Sequence, residues 1–146
     1  MNYVNTVNAF DLNCLSLNAR GLNKSIKRRA VFRWLHKQNH HVIFLQESYC
    51  SKNLERSWEN EWGGKNFFSH CTNHSKGVIT LINPSVNFKV EKVIPDKQGR
   101  FIILKLSLEE KVIVLVNIYS PNDVAQQVSF FTKPATRGIC ARCNCI

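Results

Sequence analysis

The most constraining feature of this chain lies near its start, where two short apolar stretches bracket one basic, helix-forming segment. Residues 12–18 (LNCLSLN) are β-prone and mostly apolar, and residues 42–46 (VIFLQ) have the length and composition of a strand buried on both faces. Between them Asn23 or Ser25 can cap a helix. Its apolar positions Ile26, Ala30, Val31, Trp34 and Leu35 fall at helical spacing, while Lys27, Arg28, Arg33 and Lys37 take the other side. One helix of that length returns the chain to its starting direction. The two strands are therefore expected to run parallel through a right-handed crossover, both as interior strands of an α/β sheet. Their carboxyl ends then share one edge, which carries Asn18 and Glu47. Ligands of open α/β sheets bind beyond the carboxyl ends of strands, so both polar residues are functional candidates.

Downstream, residues 51–62 suit a short helix with Leu54, Trp58 and Trp62 on one side. From Asn66 to Ser120 the period shifts toward two, with the turn signals SKG, NPS, DKQG and LEEK between apolar runs, and this predicts an antiparallel meander. The Glu109-Glu110 pair falls in a hairpin turn and reads as solvated surface rather than a paired-carboxylate acid/base site. After Pro121 a helix is expected with Val124, Val128 and Phe131 along one side. The tail TRGICARCNCI has neither period.

Charge narrows the partner. Lys and Arg number 20 against 10 Asp and Glu, a formal net charge of +10, which favours an anionic partner such as nucleic acid. No stretch approaches the roughly 18 apolar residues of a membrane span, and the start has no signal-peptide pattern. A nuclear or cytoplasmic protein is expected, with reduced thiols at Cys14, Cys50 and Cys71. Within the basic surroundings Glu47 stands out, since no acid occurs from Leu12 to Gln46 while Arg20, Lys24, Lys27, Arg28, Arg29, Arg33 and Lys37 crowd one stretch. It reads either as a carboxylate paired with one of those bases or as a Mg²⁺ ligand.

The company Glu47 keeps separates these readings. LNARGLN at 17–23, FLQES at 44–48, SKGVITLI at 75–82, GRFIILKL at 99–106 and VNIYSPN at 116–122 occur in that order. Over roughly residues 10–131 this resembles the first part of the endonuclease/exonuclease/phosphatase superfamily. It is most similar to endonuclease domains of non-LTR, long interspersed element type retrotransposons. The resemblance implies a four-layer α/β-sandwich of the deoxyribonuclease-I-like type, truncated to about its first half, that hydrolyses phosphodiester bonds in DNA with Mg²⁺ or Mn²⁺. It implies catalytic roles for Asn18, Glu47 and Tyr119: Glu47 and Asn18 at the metal, Tyr119 at the scissile phosphate. Asn122 adds a phosphate hydrogen bond. Lys27, Arg28, Arg33 and Lys37 would hold backbone phosphates.

The chain also departs from the family pattern. Arg20 replaces the acidic residue of apurinic endonucleases, which argues against specialisation for abasic sites. The Gly-Asp-Phe-Asn strand and the Ser-Asp-His stretch expected further on are absent, because the last carboxylate is Asp123 and the last histidine His74. An inactive nucleic-acid-binding remnant is therefore the alternative function. The histidines His36, His40, His41, His70 and His74 read as surface residues. Cys140, Cys143 and Cys145 invite a zinc reading, but a tetrahedral site needs a fourth ligand and the tight spacing without a second pair is a weak signal, so a frameshift or splice accounts for the 132–146 tail more simply. With half a sandwich, apolar side chains among Val112, Val114, Leu115, Val116 and Ile118 are expected to face solvent or a partner.

Overall fold

The computed structural model describes residues 11–72 and 74–132. Strand β1 (Cys14–Asn18), helix α1 (Ser25–Gln38) and strand β2 (Val42–Gln46) form the expected unit, with β1 and β2 parallel and Asn18 opposite Gln46. A turn of 3₁₀ helix at Lys52–Leu54 leads into α2 (Glu55–Trp62), followed by β3 (Lys65–Ser69) and β4 (Val78–Ile82). The remaining elements are β5 (Lys89–Pro95), β6 (Phe101–Leu108), β7 (Lys111–Ile118) and α3 (Val124–Thr132).

The expected single meander is in fact divided between two sheets. The first has the order β1-β2-β4-β3 and the second β5-β6-β7. β4 pairs antiparallel with both β2 and β3 because its five residues, VITLI, are apolar enough to be buried on both faces. Ile79 and Leu81 point into the core under α1 and α2, while Val78 and Ile82 point into the core between the sheets. That second core is completed by Ile102, Leu104, Leu106 and Leu108 of β6. Helix α3 packs on the second sheet through Phe130 and Phe101, whose ring centroids are 6.4 Å apart. The result is two sheets face to face, with α1 and α2 over the first. The Glu109-Glu110 pair lies in the tight β6–β7 turn, as the sequence predicts.

Two sequence expectations require correction. β1 is an edge strand rather than an interior one: Leu15 and Leu17 pack toward the helices, but Cys14, Ser16 and Asn18 are exposed. Helix α1 is also rotated from its expected face. Its buried residues are Arg28, Phe32 and Leu35, whereas Ile26 is 86% and Trp34 45% exposed. The reason is an ion pair that a count of apolar residues does not register. Arg28 donates from Nε and Nη2 to the two carboxylate oxygens of Glu61 on α2, each at 2.7 Å, and from Nη1 to the Leu22 carbonyl at 3.0 Å. Its guanidinium also lies 4.9 Å from the Trp58 ring centre. Val112 and Val114 are exposed as expected, while Leu115 turns inward against the inter-sheet core. The Cys140-Cys143-Cys145 tail lies outside the described residues.

Candidate active site

The carboxyl ends of β1 and β2 are joined beyond their ladder. Ala19 N–H donates to the Gln46 carbonyl at 2.8 Å, Gly21 N–H to Glu47 at 2.7 Å and Leu22 N–H to Ser48 at 2.9 Å. The loop that leads into β4 closes the other side, with Ser48 N–H donating to the Gly77 carbonyl at 3.0 Å. These contacts hold a run of left-handed residues: Arg20 (φ 49°), Glu47 (52°), Tyr49 (58°) and Lys76 (56°), none of them glycine. Such residues each cost about 1 kcal/mol and persist only where the surroundings over-determine them. Gly21, at φ 80°, is required twice over, because a Cβ there would meet Tyr49 Cδ2 at 2.5 Å.

Glu47 is the centre of this arrangement. Asn18 Nδ2 donates to its Oε1 at 2.9 Å and the Tyr49 hydroxyl donates to its Oε2 at 3.2 Å. Asn18 is itself oriented by Arg20 N–H, which donates to Asn18 Oδ1 at 3.1 Å. The Asn18 bond is the main reason the Glu47 carboxyl titrates below the usual carboxylate range. Burial opposes the shift, and the Tyr119 and Tyr49 hydroxyls and the Arg20 charge add to it. Tyr119 and Tyr49 are pushed upward, first by burial and then by Glu47, so both phenols remain protonated donors near neutrality. Glu47, Tyr49, Lys76, Arg100, Tyr119 and Asn122 line one open cleft of about 290 Å³, and Tyr49 separates it from a second of about 320 Å³ bounded by Arg20, Asn23, Lys24 and Lys27.

The depressed Glu47 value has a consequence for stability. Its contribution is complete above the unfolded carboxyl pKa of about 4.3 and fades as pH falls through the lower folded value. Urea midpoints of the wild type and Glu47→Gln are therefore expected to differ at neutral pH and to converge as the pH falls below the carboxylate range. A constant gap would contradict the ionised, hydrogen-bonded carboxylate.

Asn18, Glu47, Tyr119 and Asn122 thus meet at one place, as the motif order suggests. The four basic residues do not. Lys27 lies beside the cleft, its ammonium donating to the Ala19 and Arg20 carbonyls at 2.7 and 2.8 Å, so it braces the strained loop. Arg28 is buried against Glu61 and is not available to a phosphate, and Arg33 and Lys37 stand exposed further along α1. Sequence reasoning missed Tyr49, Lys76, Arg100 and Asn117. Asn117 is 1% exposed and ties the sheets together. Its Nδ2 donates to the Leu45 and Ile79 carbonyls at 3.2 and 2.9 Å, and its Oδ1 accepts from Gln46 Nε2 at 2.9 Å. A lone amide in the apolar run VIVLVNI was the available signal.

Three of the histidines have structural partners: His36 stacks on Trp62 at 4.1 Å, His41 Nδ1 accepts from Asn13 N–H at 2.9 Å, and His70 bridges Glu55 and the Cys50 carbonyl. The Cys50 thiol, buried and near Glu55, is pushed up to about 12 and is inert. Among the described residues no three His, Cys, Asp or Glu side chains cluster as a metal cage.

No family model matches the sequence. A 149 kDa protein of transposon TX1 from Xenopus laevis is 32% identical over 120 residues, which are 82% of this chain and 9% of that protein. Among solved structures, Danio rerio TDP2 in complex with a single-strand DNA product matches with TM-score 0.62 and 17% identity, over 90% of this chain and 55% of that one. The AP endonuclease LMAP from Leishmania major matches with TM-score 0.61 and 15% identity, over 88% and 46%. The chain spans about half the length of these structures and a small part of the transposon protein. The chain therefore shares the deoxyribonuclease-I-like fold of these structures over about half their length, and by sequence it is related to a transposon-encoded protein.

Proposed function

We propose that this chain is the Glu47-bearing part of a divalent-metal-dependent DNA endonuclease of retrotransposon origin, acting in the nucleus or cytoplasm. The observation that carries the reading is the convergence of an ionised carboxylate, two protonated phenols, an amide and two cationic side chains on one strand-end cleft. The DNA complex of the TDP2 neighbour supports the choice of substrate.

The donor set fits Mg²⁺ or Mn²⁺ held by few protein ligands. The Glu47 oxygens accept from Asn18 and Tyr49, with the Tyr119 hydroxyl also close, and hard cations of this size commonly take one or two carboxylates and retain several waters. Glu47 would hold the ion, and Asn18 would join it only by sharing the Oδ1 that Arg20 N–H already occupies. When bound, the ion supplies Lewis-acid neutralisation of phosphate charge. The chain's own residues do the rest. Tyr119 donates its phenolic proton to a non-bridging phosphate oxygen, and Asn122 adds an amide donor. Arg100 and Lys76, which line the same cleft, offset the developing negative charge.

A second reading, an inactive nucleic-acid-binding remnant, is favoured by one feature: among the cleft-lining residues Glu47 is the lone carboxylate, and none is histidine. Supercoiled-plasmid nicking in Mg²⁺ separates the two. The enzyme reading expects nicking by the wild type and a loss of at least about 100-fold in Glu47→Ala, the scale of removing one transition-state contact. Equal nicking by both removes Glu47 from the mechanism. Salt-sensitive DNA binding without nicking selects the remnant.

A further inference from the structure

The rotation of α1 leaves an unusual surface. Its solvent side carries two adjacent stripes at a spacing of four: Ile26, Ala30 and Trp34 on one, and Arg29, Arg33 and Lys37 on the other. No acidic side chain occurs on the helix. An exposed apolar stripe is costly unless it meets a partner, and here the neighbouring stripe fixes that partner's charge as negative. The surface also joins the cleft. The Arg20–Lys24–Lys27 cleft shares Tyr49 with the Glu47 cleft, and it shares Lys24 and Lys27 with a third depression that runs over Ile26 to Ala30. From Lys24 to Lys37 the helix rises about 20 Å, room for a few nucleotides in series.

We infer that the outer face of α1 is a single-strand nucleic-acid track, on which an unpaired base stacks on Trp34 while its flanking phosphates rest on Arg29, Arg33 and Lys37. The inference adopts the nucleic-acid substrate proposed above and adds a site remote from Glu47. Single strands are favoured over duplex because stacking on an indole requires an exposed base face, which a duplex hides within its own stack. A partner recognised by charge alone would need the basic stripe and leave the 45% exposed Trp34 without a role.

The molecule provides its own reporter. Of its three tryptophans, Trp58 and Trp62 are 0% and 1% exposed, so quenching of exposed indole by added ligand reports Trp34. Titration with a labelled oligothymidylate of about a dozen nucleotides should quench the tryptophan emission in step with the rise in anisotropy. Trp34→Ala should weaken binding at least about fivefold and Trp34→Phe far less, as expected for base–aromatic stacking. Both variants should keep the wild-type circular dichroism, since the side chain is on the surface. Replacing Arg29, Arg33 and Lys37 together by Gln should flatten the log–log salt dependence by about two, at roughly 0.7 per lost phosphate contact.

Binding without quenching, or undiminished binding by Trp34→Ala, overturns the inference. So does equal quenching by a duplex or by polyglutamate, which would make the surface a groove or acidic-protein contact. Glu47→Gln keeps the two proposals apart. If Glu47→Gln nicks as well as the wild type while Trp34 quenching persists in that variant, the cleft reading falls alone; if quenching is absent while the wild type nicks and Glu47→Gln does not, the track falls alone.

Discussion

Arg28→Ala is expected to lower the unfolding free energy by about 3–5 kcal/mol, the range for breaking a buried ion pair from one side. Three losses coincide. Glu61 is left with its carboxylate at the α1–α2 junction without a counter-charge, the Leu22 and Asn23 carbonyls lose a donor, and the Trp58 face loses its cation. Lys27→Ala, one residue away on the solvent side, removes two bonds to loop carbonyls without leaving a buried charge unpaired, and should cost about 1 kcal/mol. Urea denaturation of both variants checks the contrast. Two similar, small losses would mean that Arg28 is not the buried strut described above. The Arg28→Met/Glu61→Met double variant is expected to recover part of the stability, because apolar pairs often replace buried ion pairs without loss.

Asn117→Leu should be nearly as costly, at about 2–4 kcal/mol, since the Leu45 and Ile79 carbonyls each lose a donor inside the protein and Gln46 Nε2 loses the acceptor that ties it to the second sheet. It also separates a structural role from a catalytic one. Asn117 sits two residues before Tyr119 and accepts from the residue before Glu47, so it sets the distance between the two walls of the cleft. If the cleft catalyses nicking, Asn117→Leu held below its melting point should lose activity with little change in DNA affinity. Thermal melting and nicking measured at the same temperature test both halves. Retained stability would mean that the sheets are held together by apolar packing alone.

How far the sequence revealed this molecule follows from the kind of signal each feature leaves. The β1–α1–β2 unit and the meeting of Asn18 with Glu47 were legible because parallel crossover geometry depends on segment length and direction, both visible in one dimension. The β6–β7 hairpin was legible from its LEEK turn. The partition of strands between sheets was not, because β4 departs from its sequence neighbours only through burial on both faces, and a five-residue apolar run fits several placements. The face of α1 was misread for a related reason. A buried arginine is paid for by a glutamate 33 residues away, and no local pattern records that partner. Tyr49 was hidden too: its importance comes from a left-handed backbone that places its hydroxyl back on Glu47, two residues earlier.

The left-handed residues around that cleft carry an evolutionary consequence. Arg20, Glu47, Tyr49 and Lys76 each hold a conformation that glycine or asparagine adopts more easily. Selection for stability alone would thus push all four positions toward those residues, while selection for the cleft's chemistry would resist. On the retrotransposon origin proposed above, diverged copies are expected, and the two pressures predict opposite drift at these codons. Copies released from function should accumulate Gly and Asn there sooner than at the surface of α3. A library of random variants screened only for soluble expression would reproduce the same drift in the laboratory, and the rate at which it appears would measure how much strain the site stores.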